Sequence, residues 1–227
     1  MLVGHVGAGL AAKAVQPKLN LGTLLAAALL LDIVFWCLLL LGFEAAHAPP
    51  DFVSRRYLSF TFPYSHSLAG AVILSFAFAL AWMAWRRRTK VRDGILVVGA
   101  IVVGLTVFSH WVLDWLVHVP EMPLVPGGAV AGMGLWRHQP LALVVEIAIA
   151  LAGLAAFLVR APMSIPRRIA VAGATVVIGG MTAMGIFGPA ALPAMSVMAA
   201  TSLGIIASVV AVGAWADSSQ RNRREHL

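Results

Sequence analysis

Six long apolar runs constrain this chain more than any other feature. They lie at about residues 20–43, 66–85, 94–118, 140–159, 168–188 and 193–215. A helix needs roughly 20 apolar residues, at about 1.5 Å of rise each, to cross the hydrocarbon core of a bilayer. Each run is long enough. Helices satisfy their own backbone hydrogen bonds in lipid, so the expected fold is an all-α polytopic membrane bundle with six transmembrane helices. Composition supports this: 61% of residues are hydrophobic and 11% charged, against about 25% charged in a typical soluble domain. A soluble enzyme and a disordered chain are excluded. Cys37 is the single cysteine, which excludes an internal disulfide framework. A shorter apolar stretch, about 2–15, is too short to cross before Lys13; it lies in the interface or dips in as a half-helix. The chain reads as one integral membrane domain, 1–227. Within it, about 1–150 carries the candidate chemistry, 160–216 forms scaffold helices, and 217–227 is a basic tail.

The net charge of +7 is a topology signal rather than a nucleic-acid footprint, and no nucleic-acid partner is expected. Lys13 and Lys18 precede the first span. Arg86, Arg87, Arg88, Lys90 and Arg92 separate the second from the third, and Arg160, Arg167 and Arg168 the fourth from the fifth. Arg221, Arg223 and Arg224 follow the sixth. Only Arg55, Arg56 and Arg137 fall on the other side. By the positive-inside rule both termini are cytoplasmic, and the long loops 44–65 and 119–139 face outward. The start of the chain imitates a signal peptide, with Ala46-His47-Ala48 as its cleavage site. The apolar run is too long for such a peptide and carries Asp32 in its middle. Gly7-Ala8-Gly9 with Ala12 imitates a dinucleotide fingerprint, but no strand precedes it.

Ionisable side chains inside lipid are expensive and mark function. Counting about 1.5 Å per residue from the outer end of each span puts Asp114 about 6 Å deep, Glu146 about 9 Å, His110 about 12 Å and Asp32 roughly 16 Å. His66 sits at the start of the second span, near the surface. A late start of that span, or tilt, has to bring it to Asp32. His5 reaches the same depth only if the N-terminal stretch is re-entrant. His110 and Asp114 are four residues apart and share one helix face. Imidazole nitrogen and carboxylate oxygen together suit zinc or a similar divalent ion. His118 and His138 are expected near the outer surface, in water; His47 and His226 are expected in a loop and in the tail. Trp82, Trp85, Trp115 and Trp136 fit interfacial belts.

These residues resemble the family of membrane-bound metal-dependent hydrolases, which includes a LexA-regulated bacterial inner-membrane member. The matching positions are His5 with Gly7 and Gly9, Asp32, His66-Ser67, and Ser109-His110 with Asp114, over about residues 1–150. The family commonly carries Pro-Asp-x-Asp in the first span. Leu31-Asp32-Ile33-Val34 keeps one acid and lacks the proline and the second acid, which leaves the number of metals open. Ser65 replaces a threonine before the His-Ser step. The resemblance implies a divalent metal, zinc or else manganese, held by His5, Asp32, His66, His110 and Asp114. Hydrolysis there would act on an ester or phosphoester, and the depth of the site points to a lipid or lipid-linked substrate at the outer half of the bacterial inner membrane. Glu146 is then the general base or an orienting acid. Two other readings use the same residues: a proton or metal-ion transporter, and a non-catalytic scaffold whose polar cluster only holds helices together. Neither substrate identity nor oligomeric state is written in the sequence.

Overall fold

The computed structural model describes residues 1–89 and 94–224, the last six of these by backbone alone. Lys90, Arg92 and His226 lie outside the described residues, as do the side chains of Arg221, Arg223 and Arg224. The helices are α1 (Leu2–Val15), α2 (Leu21–Ala28), α3 (Leu30–Leu40), the short α4 (Phe52–Arg55), α5 (Leu68–Arg88), α6 (Leu96–Val117), α7 (Gln139–Arg160), α8 (Ile165–Phe187) and α9 (Met195–Arg224). The architecture is an all-α polytopic bundle. Among the described residues five helices are long and apolar enough to cross a membrane, or six if the bent pair of α2 and α3 is one span. Only 17–33% of each long span is buried inside the protein. Side chains such as Ile73, Phe76, Ile101, Leu105, Val144 and Val176 point outward. A helix that is apolar all round and exposed over most of its surface belongs in lipid.

Local signals set the helix ends. The Asn20 side chain accepts from Thr23 N at 3.2 Å to start α2, and Ser67 accepts from Gly70 N at 3.0 Å to start α5. Pro140 and Pro166 stand in the first turns of α7 and α8, where a missing N–H costs nothing. Two antiparallel ribbons fold over one end of the bundle. One pairs β1 (Ala45–His47) with β2 (Ser59–Thr61), Ala46 opposite Phe60; the other pairs β3 (Met122–Pro123) with β4 (Val130–Ala131). We call this the loop end. The opposite, basic end carries Lys13, Arg86–Arg88, Arg160 and Arg167.

The run at 20–43, expected as one helix, is broken at Leu29, and α2 and α3 meet at 56°. Neither proline nor glycine stands at Ala28-Leu29-Leu30. The cause is tertiary: His110 of α6 inserts at the break and takes the Ala28 carbonyl at 2.7 Å, one of the recognised origins of a kink. The N-terminal stretch is a half-helix. Val3, His5, Val6, Gly7 and Leu10 of α1 are buried, and α1 packs chiefly on α7, then on α2 and α6. Its crossing with α7 is backbone on backbone. A Cβ on Gly7 would stand 2.7 Å from the Ala150 Cα, and one on Gly153 would collide with the Gly7 carbonyl. Small residues at the crossing are what close helix approach in lipid requires.

Lys13, read from sequence as a topology charge, is 1% exposed. Its Nζ donates to Asp217 Oδ2 at 2.6 Å and to the carbonyls of Pro17 and Leu19. Asp217 also accepts from Leu21 N at 2.8 Å. This contact ties α1, α2 and α9 together at the basic end. The stretch from 217 onward, expected as a tail, continues α9 as helix to Arg224.

Candidate metal centre

Four elements converge beneath the loop end. α1 supplies His5, α3 supplies Asp32, the segment before α5 supplies His66, and α6 supplies His110 and Asp114. The spacing of four puts the last two on one face of α6, and its repetition puts His118 there as well. Asp114 is the hub. Its Oδ1 lies 3.0 Å from His5 Nε2 and 3.3 Å from the Met1 amino group. Its Oδ2 lies 3.3 Å from His66 Nε2, 3.2 Å from His110 Nε2 and 3.8 Å from His118 Nε2. Asp32 Oδ1 stands 3.7 Å from both His66 Nε2 and His110 Nε2. The His5 and His110 rings stack at 3.6 Å, nearly parallel.

The outer ring nitrogens decide what the inner ones can do. His110 Nδ1 faces the Ala28 carbonyl at 2.7 Å. A carbonyl only accepts, so Nδ1 carries the proton. His118 Nδ1 lies 2.8 Å from Glu121 Oε1 and is likewise the donor. Ser65 Oγ donates to Glu44 Oε2 at 2.6 Å and therefore accepts from His66 Nδ1 at 2.8 Å. In the neutral imidazole a protonated Nδ1 leaves a lone pair on Nε2. Three such lone pairs thus face Asp114 in one buried space, and those of His66 and His110 also face Asp32. Among the described residues His110 Nε2 has no hydrogen-bond partner. Acceptor against acceptor is repulsive, and a cation between them removes the conflict. Fixing Nδ1 through a carboxylate, carbonyl or hydroxyl is also how proteins hold metal-ligating histidines. Burial pushes the His118 imidazole below its ordinary range, against the pull of Glu121, which favours the neutral ring.

Distances agree with a small ion. Ligands about 2.0–2.1 Å from zinc stand about 3.3 Å apart across a tetrahedron; the His66–Asp114 and His110–Asp114 separations are 3.3 and 3.2 Å. Two overlapping groups qualify, His5–His110–Asp114 and Asp32–His66–His110, with ligand atoms in each within 4.8 Å of one another.

The structure thus brings together His5, Asp32, His66, His110 and Asp114. The gap expected between Asp32 and His66 closes because α5 starts late, at Leu68, and residues 65–67 are buried inside the bundle. Glu146 stands apart. It is buried on α7 with its Cα facing Gly4 of α1, and its Oε2 has no partner. Among the described residues no hydrogen bond links it to the cluster. His118 is corrected: expected in water, it is 4% exposed, covered by Phe60, Phe62 and Trp136 of the two loops. Its signal was present, since His110, Asp114 and His118 repeat at intervals of four. Sequence reasoning also missed Glu44 and Glu121, which act through Ser65 and His118. Glu44 further accepts from the backbone N–H of Tyr64 and Ser65 at 2.9 and 2.8 Å, which fixes the segment that carries His66.

A cavity of about 180 Å³ opens onto the cluster. Asp32, His66, Asp114 and His118 form its polar floor. Phe35 and Trp36 of α3, Phe60 and Phe62, Trp136, and Ser202, Ile205 and Ile206 of α9 form its walls. Asp32 is the open member of the cluster, with its side chain 22% exposed, against 0–5% for the others.

Removing the Ser65 hydroxyl tests this shell. Ser65→Ala is expected to weaken metal binding roughly 10–100-fold, the usual cost of losing an outer-shell partner. Ser67→Ala removes the α5 cap, costs about 1 kcal/mol of stability and leaves affinity unchanged. Competition titration with a chromogenic chelator reads both.

The fold and cluster define a multi-pass α-helical membrane protein with buried His/Asp groups able to hold a metal ion. No family model, no curated protein and no solved structure matches the chain.

Proposed function

We propose that this protein is a metal-dependent hydrolase that cuts an ester or phosphoester of a lipid or lipid-linked substrate at the outer half of the bacterial inner membrane. The supporting observation is the set of three imidazoles, His66, His110 and His118, each anchored through Nδ1, whose Nε2 atoms face Asp114, with those of His66 and His110 also facing Asp32. Two carboxylates and neutral nitrogens match a divalent ion, zinc or else manganese. The resemblance to membrane-bound metal-dependent hydrolases rests on two of these histidines, His66 and His110, with His5, Asp32 and Asp114; His118 is not part of it.

When bound, such an ion lowers the pKa of a water and polarises the oxygen of the scissile bond. The chain's own residues do the rest. His66, His110 and Asp114 hold fixed positions. Asp32 faces the cavity and meets the substrate. Phe35, Trp36, Ile205 and Ile206 exclude bulk water and accept apolar chain. Glu146, buried beside the helix that carries His5, is assigned as the acceptor or orienter of the proton released when water adds across the bond.

Transport fits less well. A transit path needs polar groups through the bundle. Between His5 and Lys13, α1 buries Val6 and Leu10 against Leu21, Leu25, Leu154 and Phe157, an apolar plug. The test is elemental analysis of gently purified protein, followed by hydrolysis of phospholipid and lipid-phosphate substrates before and after chelation. About one or two equivalents of metal and chelator-sensitive hydrolysis are expected. Absence of stoichiometric metal would sink the proposal.

A further inference from the structure

Positive charge is scarce at the loop end: Arg55, Arg56 and Arg137 are its arginines, and it has no lysine. Two of the three line one open cleft of about 770 Å³, formed where α4 and Tyr57 meet the start of α7. Its polar walls are Ser54, Arg55, Tyr57, Arg137, His138 and Gln139, beside the apolar Pro140 and Leu141. Arg55 is held by Asp51 at 2.5 Å; among the described residues Arg137 has no carboxylate partner. His138 occupies the N-cap of α7 without a side-chain cap bond. The start of α7, with the positive end of its dipole, therefore lies at the cleft, which Gln139, Pro140 and Leu141 line.

The cleft shares a wall with the metal cavity. Tyr57 of the cleft stacks on Trp136 of the cavity, with ring centroids 6.1 Å apart, and Trp136 lies 4.1 Å from the His118 ring. One aromatic pair separates a cationic surface site from the buried cluster.

We infer that the Arg55–Arg137 cleft binds an anionic phosphate head group, and that the substrate of the metal centre is an amphiphile with its phosphate there and its apolar part in the cavity. The link to hydrolysis rests on the function proposed above; phosphate binding in the cleft does not. Phosphate chemistry is favoured over a carboxylate because the guanidiniums of Arg55 and Arg137 carry more donors than the two oxygens of a carboxylate use.

The test uses the full chain in phosphatidylcholine nanodiscs, with and without prior chelation. Binding of dihexanoyl phosphatidic acid, dihexanoyl phosphatidylcholine and inorganic phosphate is followed by calorimetry. The phosphatidic acid is expected to bind at least about 10-fold tighter than the phosphatidylcholine, a difference of about 1.4 kcal/mol. Arg137→Gln combined with Arg55→Gln should erase that preference, and so should Arg137→Glu alone. These side chains are solvent-facing, so the variants should retain wild-type thermal unfolding and metal content. Inorganic phosphate that competes in the wild type and fails in the variants assigns recognition to the free phosphate group. Absence of such competition, with the lipid preference intact, assigns it to a phosphate presented on a lipid. Equal binding of the two lipids, or a preference untouched by the arginine variants, overturns the inference. A preference abolished by chelation alone places the phosphate on the metal and also overturns it. Retained binding in a protein shown to hold no metal overturns the hydrolase and leaves the cleft standing.

Discussion

Asp114→Asn is expected to empty the cluster of metal. The substitution conserves shape, so helix packing persists. It replaces one carboxylate oxygen with an amide that brings two donors. Oδ2 is the atom nearest three Nε2 nitrogens, and Oδ1 is engaged by His5 and Met1. Whichever way the amide turns, a negative ligand is lost, and one edge of the site meets N–H where it met oxygen. The loss should exceed the roughly 10–100-fold cost of outer-shell changes. His110→Ala should match it, because His110 belongs to both candidate ligand groups. Elemental analysis beside size-exclusion profiles separates lost metal from lost fold. A folded Asp114→Asn protein with full metal would show that the cluster is a polar helix contact and nothing more.

The second large effect lies at the other end of the bundle. Lys13→Ala leaves Asp217 buried without its cation, and breaking a buried pair this way costs about 3–5 kcal/mol. For a chain of this size the midpoint should fall by on the order of 10 °C. Asp217→Ala should cost at least as much, since Leu21 N also loses its acceptor. Replacing both residues with apolar side chains of similar size should recover much of the loss, because no unpaired charge remains. Thermal unfolding in detergent, followed by tryptophan fluorescence, reads all three. If Lys13→Ala unfolds like the wild type, the ion pair is not holding α1 to α9.

The spans were legible because lipid demands length and apolarity, which a sequence states directly. The residues of the buried cluster were legible because charge inside lipid is rare enough for a handful of residues to stand out. The break at Leu29 was not. Ala26-Ala27-Ala28-Leu29-Leu30-Leu31 reads as uninterrupted helix, and the cause lies on α6, 82 positions away. His118 was misplaced because depth was counted along one helix, whereas its burial comes from aromatic rings in two loops. Lys13 resembled a topology charge because its partner, Asp217, is 204 residues distant. Glu44 and Glu121 stood at loop edges, where acids are common, and only folding shows which carbonyls, hydroxyls and rings they meet. Long-range pairing of this kind leaves no periodic trace.

The backbone crossing of Gly7 and Gly153 also has a consequence in time. α1 is made first, yet the helix it lies against most closely emerges well over a hundred residues later. Until α7 arrives, this short helix has lipid or translocon where its partner will be, and His5 has no fixed place. The cluster therefore closes late in synthesis, after the four elements that supply its His and Asp side chains have been made. A ribosome stalled before residue 139 would leave Asp32, His66, His110 and Asp114 present and no wall to press α1, with its His5, against them. Metal capture should then report completed assembly, since non-local contacts of this span form last.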